Sequence, residues 1–210
     1  MGFNPDRHHR HSIRLPEYNY ARAGWYFITI CTQERDYRFG EIVDTEMRLN
    51  DVGLMIERWW RKLPDKFTSV MIDAYVVMPN HFHGIVAIED NDDRHAGEHT
   101  GSPLPNNEIN DSHDVGADPR VCPPRNPDAS NVRLTLSAVI QWFKTMTTNE
   151  YIRGVKQCGW PPFQGKLWQR NYYEHIIRNE EDLNHICHYI AENPLKWSLD
   201  EENPANRKRS

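Results

Sequence analysis

Forty-three consecutive residues, Glu89 to Asn131, contain almost nothing apolar, and they divide the chain into two blocks that must share one core. Gly, Pro, Asn, Asp and Ser dominate the stretch. A segment this polar cannot bury enough apolar surface to offset its ordering entropy, so it reads as a disordered insert within one domain. It holds ten acidic and three basic side chains, a net −7 within a chain whose total is −5, and the rest is therefore +2. The total charge speaks against a nucleic-acid partner, whose binding surfaces are usually basic. The partition weakens that objection and predicts few phosphate contacts with a shallow salt dependence. His95, His99 and His113 inside the insert read as parts of a solvated spacer, with weak metal binding as the alternative.

No run of about 18 apolar residues exists in the 210-residue chain, which excludes a membrane-spanning helix. Met1 to Arg14 is basic and His-rich with no apolar stretch behind it, so it reads as a flexible arm rather than a secretory signal. The four cysteines, Cys31, Cys122, Cys158 and Cys187, are far apart and form no C-x-x-C pair. That fits a reducing cytoplasm, near the nucleoid if DNA is the partner, rather than a zinc ribbon or a disulfide framework.

Hydrophobic patterning gives an α+β layout, an antiparallel sheet with helices packed on it. Trp25–Thr32 is aromatic and β-branched and reads as a buried strand. A second strand pattern follows a turn at Gly40, over Glu41–Leu49. Asp51 is placed as the N-cap of a helix reaching Trp60 or Lys62 and stopped by Pro64-Asp65. Val70–Met78 and His81–Ile88 read as antiparallel partners across Pro79-Asn80. Beyond the insert, Leu134–Tyr151 is helical, Gly154–Gly165 a loop, Trp168–Ile177 a strand and Glu180–Glu192 a last helix.

Three local patterns carry chemistry. In Pro79-Asn80-His81-Phe82-His83-Gly84 the two imidazoles project from one strand face with Cα atoms roughly 6.5–7 Å apart, close enough to grip one cation, while Phe82 points into the core. Paired histidines can also simply cap a sheet. In the last helix Tyr189 and Asn193 are four apart and share a face, as a nucleophilic phenol beside an oxygen ligand or as a packed tyrosine. From Leu167 to Arg178 aromatic and basic residues alternate, which suits base stacking and phosphate contact, or core filling by Trp168 and Tyr172. Arg133, Lys144, Lys156 and Lys166 are further candidates for phosphate.

Taken in order, H-x-H in a hairpin, then W-Q-R-x-Y-Y-E-H-I-I-R, then Y-I-x-x-N-P, the chain resembles the single-tyrosine HUH transposases, and more narrowly the REP-associated tyrosine transposases. Tyr75–Val86 and Leu167–Lys196 carry most of the match, and Ile13–Asn50 resembles the family's opening hairpin. The resemblance implies a ferredoxin-like HUH-nuclease fold over residues 15–197, interrupted by the insert 89–131 and followed by a tail, 198–210. It implies that His81, His83 and Asn193 hold Mg²⁺ or Mn²⁺ and that Tyr189 is the nucleophile. The activity implied is cleavage and transfer of single-stranded or hairpin DNA through a 5′-phosphotyrosine, by a monomer or a homodimer, as in a mobile element. Tyr172 and Tyr173 are rival nucleophiles. Contacts to DNA are expected from Lys144, Trp168, Gln169 and Arg170, from Tyr173, His175 and Arg178, and from Arg10 and Arg14 in the arm. The competing reading is a domesticated protein on the same fold that binds nucleic acid without cutting it.

Overall fold

The computed structural model describes residues 23–89, 134–200 and 202–206. The basic arm at 1–14, with Arg10 and Arg14, and the insert beyond Glu89 lie outside the described residues. β1 (Gly24–Cys31), β4 (Val70–Val77), β5 (His81–Ile88) and β6 (Tyr173–Ile177) form one antiparallel sheet in the order β4-β5-β1-β6. α1 (Asp51–Arg61) connects β1 to β4, and α3 (Leu136–Gln157) connects β5 to β6. This is the β-α-β-β-α-β order of a ferredoxin-like fold. A hairpin of β2 (Gly40–Val43) and β3 (Glu46–Leu49) is added between β1 and α1, and α4 (Glu180–Glu192) follows β6.

β1 is nearly continuous in apolar residues because both of its faces are covered. Tyr26, Ile28 and Ile30 join Phe82 and Val86 against Met55, Ile56 and Trp60 of α1 and Val139, Ile140 and Phe143 of α3. Phe27, Ile85 and Ile177 face the other way and pack on Ile186 and Ile190 of α4. Each such side chain, fully buried, contributes about 1.5–3 kcal/mol. Gly84 lets the α1 layer lie close, since a Cβ there would stand 2.7 Å from the Trp60 ring.

Five boundaries differ from the sequence reading, each for a local reason. Glu41–Leu49 is not one strand but two, turning at Asp44 and Thr45, whose φ values of 52° and 68° supply the primed turn that a tight hairpin needs. The N-cap of α1 is Asn50 rather than Asp51, its side chain accepting the Gly53 N–H at 3.0 Å. Pro64 does not end the helical path: α2 (Leu63–Lys66) takes it in its first turn, where no amide hydrogen is required. α3 runs through Gly154 to Gln157 because Trp160 folds back onto that glycine, where a Cβ would meet the indole at 2.1 Å. The last strand is only Tyr173–Ile177, and Trp168 makes a single isolated bridge to Thr32.

α4 begins at Glu180 and ends at Glu192, as read from the sequence. Asn179 caps it by accepting the Asp182 N–H at 2.8 Å, and three acids in its first turn complement the helix dipole. Among the described residues no helix is long and apolar enough to cross a membrane.

Candidate active site

His81 and His83 project from β5 onto the α4 face of the sheet, opposite Cys31 and Thr29 of β1, and both are buried. Their Nε2 atoms are 2.9 Å apart. The side-chain amide of Asn80 donates to the carbonyls of Arg35 at 3.1 Å and Glu202 at 2.8 Å, which turns its oxygen to Nδ1 of His81 at 2.8 Å. An amide oxygen only accepts, so Nδ1 of His81 carries the proton and Nε2 is a bare lone pair. Nδ1 of His83 lies 2.8 Å from the Thr29 hydroxyl. Burial, with the neighbouring His83 and Arg35, holds His81 well below the usual histidine range, and burial pushes His83 down to about 3. Both rings are neutral at pH 7. Two nitrogens each about 2.1 Å from one ion at right angles stand roughly 3 Å apart, which is the spacing found.

A carboxylate completes the group. Asp200 Oδ2 is 3.8 Å from His81 Nε2, and one ligand atom from each of His81, His83 and Asp200 lies within 4.8 Å of the others. Asp200 is brought there by the 3₁₀ turn Trp197–Leu199. Glu202 pairs with Arg35 and accepts the Cys31 S–H at 3.3 Å. Burial and that carboxylate push the Cys31 thiol up to about 12, so it stays protonated. The Tyr37 hydroxyl donates to Asn203, which itself donates to the Trp197 carbonyl. The residues just past Trp197, set apart as a tail in the sequence, therefore close the site. Their mixed charges offer no pattern by which Asp200 could have been singled out.

Tyr189 stands on α4, 42% exposed, with its hydroxyl 3.5 Å from His83 Nε2. Its ring meets Phe27 edge-on at 5.9 Å and His83 at 5.3 Å. Asn193 caps α4 in helical conformation and is 3% exposed. Its Oδ1 is buried and, among the described residues, has no hydrogen-bond partner. The bare Nε2 of His81, the neighbouring His83 ring and the Asp200 carboxylate form a donor set that suits a divalent cation. Tyr173 is half-exposed on the same face, 6.4 Å from Phe27, whereas the Tyr172 hydroxyl lies near Ser137 on α3. His175 is held by Asp182 at 3.0 Å.

The structure divides the residues expected to touch DNA. Trp168 is a core residue, with its indole N–H donating to Thr147 at 2.9 Å and its ring 5.2 Å from Phe39, so no base can stack on its face. Lys144 is committed as well. Its ammonium donates to the carbonyls of Gln169 at 3.0 Å and Asn171 at 3.1 Å and lies over the Tyr172 ring, and burial pushes it down to about 8. It braces a loop instead of offering a charge to phosphate. The Gln169 side chain donates to the Thr32 carbonyl at 3.2 Å. Arg170, Tyr173 and Arg178 are exposed.

No protein-family model matches the chain. An uncharacterized protein of Haemophilus influenzae is 33% identical over 202 residues, covering 95% of this chain and 96% of that protein. A second Haemophilus influenzae protein, named "Putative REP-associated tyrosine transposase", is 21% identical over 181 residues, covering 85% of this chain and 74% of that one. Among solved structures, a REP-associated tyrosine transposase bound to a REP hairpin aligns with a TM-score of 0.47 at 20% identity, over 89% of this chain and 77% of that one. With a third of its residues shared across nearly the whole of both chains, the protein belongs to one family with the first of these Haemophilus influenzae proteins, and it resembles the REP-associated tyrosine transposases.

Proposed function

We propose that the protein is a DNA transposase that cuts and rejoins single-stranded, hairpin-associated DNA with Tyr189 as nucleophile. The observation that carries this reading is the Tyr189 hydroxyl 3.5 Å from His83 Nε2, at a buried imidazole pair, on a surface open to solvent. The likeness to a REP-associated tyrosine transposase supports it. His81, His83 and Asp200, with Asn193 as a further oxygen donor, would hold Mg²⁺ or Mn²⁺, which when bound supplies positive charge to the scissile phosphate and the leaving oxygen.

The rest falls to the chain's own residues. The Tyr189 oxygen attacks phosphorus, the bond from phosphorus to the 3′ oxygen breaks, and a 5′-phosphotyrosine and a free 3′-hydroxyl result. One proton leaves the phenol and one arrives at the 3′ oxygen. A phenol is a poor nucleophile until it loses its proton, so the partial exposure of Tyr189 matters: water can take that proton as attack proceeds. The bond energy is conserved in the phosphotyrosine, and a second 3′-hydroxyl can reverse the step to join strands. The helix keeps Tyr189 edge-on to Phe27, which orients the oxygen toward the histidines.

The protein mixed with single-stranded hairpin DNA and Mn²⁺ or Mg²⁺ should give an SDS-resistant covalent adduct. Tyr189→Phe should give none. An equal yield from Tyr189→Phe, or no adduct on any of a panel of hairpins, overturns the reading.

A further inference from the structure

β1 places a hydroxyl, that of Thr29, inside the run Phe27-Ile28-Thr29-Ile30, where packing alone would favour valine or isoleucine. The residue is buried, and a buried hydroxyl is costly unless it is hydrogen-bonded. Its partner is His83: Oγ1 lies 2.8 Å from Nδ1 of that ring. Thr29 and His83 face each other across the antiparallel β1 and β5, so strand register fixes the contact. Branching at Cβ leaves Thr29 few rotamers and holds the oxygen in place.

Phe27, two residues earlier on the same face of β1, lies against the flat of the His83 ring, with centroids 5.4 Å apart and planes 22° apart. Phe27 therefore holds the ring by its face and Thr29 holds it by one edge. The other edge carries Nε2, which stands 2.9 Å from His81 Nε2 and 3.5 Å from the Tyr189 hydroxyl.

A neutral imidazole has a single ring proton, and Nε2 can offer a lone pair to a cation only when that proton sits on Nδ1. At His81 the amide oxygen of Asn80 takes the Nδ1 proton. At His83 the oxygen within reach of Nδ1 is that of Thr29. Without it, the acceptor left beside the ring is the bare Nε2 of His81, 2.9 Å from His83 Nε2. The proton of His83 would then settle on Nε2 and cap the atom that faces the site.

We propose that Thr29 is a positioning residue of the divalent-cation site, its hydroxyl oxygen accepting the Nδ1 proton of His83 so that Nε2 stays bare toward His81 and Asp200. The inference rests on the metal-dependent reading above. It gives each histidine its own orienting oxygen from a different element, Asn80 from the turn before β5 and Thr29 from β1. Groups of this kind influence metal affinity nearly as much as the ligands they hold.

The test uses the full-length protein and Mn²⁺ alone, followed by titration calorimetry. Thr29→Val keeps the shape and branching of the side chain and removes the oxygen, and it should weaken Mn²⁺ binding about 10–100-fold. Thr29→Ser restores the oxygen and should bind within about threefold of the wild type. A second readout needs no variant: in Mg²⁺-saturated wild type labelled with ¹⁵N at histidine, NMR should find the His83 ring proton on Nδ1. Equal affinity of Thr29→Val and wild type, Thr29→Ser as weak as Thr29→Val, or a His83 proton on Nε2 would each overturn the role of Thr29. Wild type that binds Mn²⁺ and forms the hairpin adduct, with Thr29→Val binding equally well, removes Thr29 alone. Wild type that binds neither Mn²⁺ nor Mg²⁺ removes the metal-dependent reading with it.

Discussion

The side-chain oxygen of Asn80 lies 2.8 Å from Nδ1 of His81, and its nitrogen ties together the carbonyls of Arg35 and Glu202. One buried amide thus sets the tautomer of a candidate ligand and anchors the C-terminal segment that brings Asp200 to it. Groups that orient a ligating histidine typically influence metal affinity nearly as much as the ligands themselves.

Asn80→Ala should therefore lower Mn²⁺ affinity by about 10–100-fold, measured by titration calorimetry. The same change leaves two carbonyls unsatisfied and should destabilise the protein by about 1–3 kcal/mol in urea denaturation. Affinity unchanged within twofold would show that the tautomer of His81 is not set by Asn80.

Asp200→Ala should weaken Mn²⁺ binding about tenfold or more while leaving the thermal midpoint nearly in place, because the residue lies at a chain segment held independently by Glu202 and Asn203. Asn193→Ala tests the orphaned oxygen in the same assay. A loss confined to Asn193→Ala would assign the third ligand to α4 and not to the C-terminal segment.

Stability of the metal-free protein should fall with acid below pH 6.5. Burial depresses the proton affinity of both histidines in the folded state, so the unfolded chain binds more protons and ΔG of unfolding decreases as pH falls. The contribution of His83 is fully present above pH 6.5 and is lost between there and about pH 3, at about 1.4 kcal/mol per pH unit. Urea midpoints measured from pH 7 to pH 4 should show the slope, and His83→Gln should reduce it, leaving the share due to His81.

Trp168→Ala should cost about 3–5 kcal/mol, as truncation of a large core side chain does, and Trp168→Phe about 1 kcal/mol for the lost bond to Thr147. Arg170→Ala should leave the melting temperature unchanged and weaken single-stranded DNA binding, with a smaller salt slope. If Trp168→Phe proves fully stable while losing DNA affinity, the indole serves DNA and not the core.

Much of the fold was legible because its signals are local. The α4 boundaries follow from Asn179 before three acids and from the apolar spacing of Ile186 and Ile190. The His81–Ile88 strand follows from its pattern and the Pro79-Asn80 break, and its register puts both imidazoles on one face. The errors arose where tertiary packing overrides propensity. Gly154 stays helical because Trp160 covers it, and Trp168 leaves the strand pattern because Thr147 and Phe39 hold it in the core.

The residue types of the site, two histidines in alternation and a tyrosine four before an asparagine, are properties of the sequence alone, since strand and helix periods dictate which of them share a face. Sequence cannot tell how far α4 stands from β5, because that spacing is set by side chains more than a hundred positions apart packing on Phe27. Tertiary structure alone decided that the Tyr189 oxygen reaches His83 and that Asp200 joins His81. It also decided that Lys144 is spent on carbonyls, for a side chain's partners are chosen by the space around it and not by its neighbours along the chain.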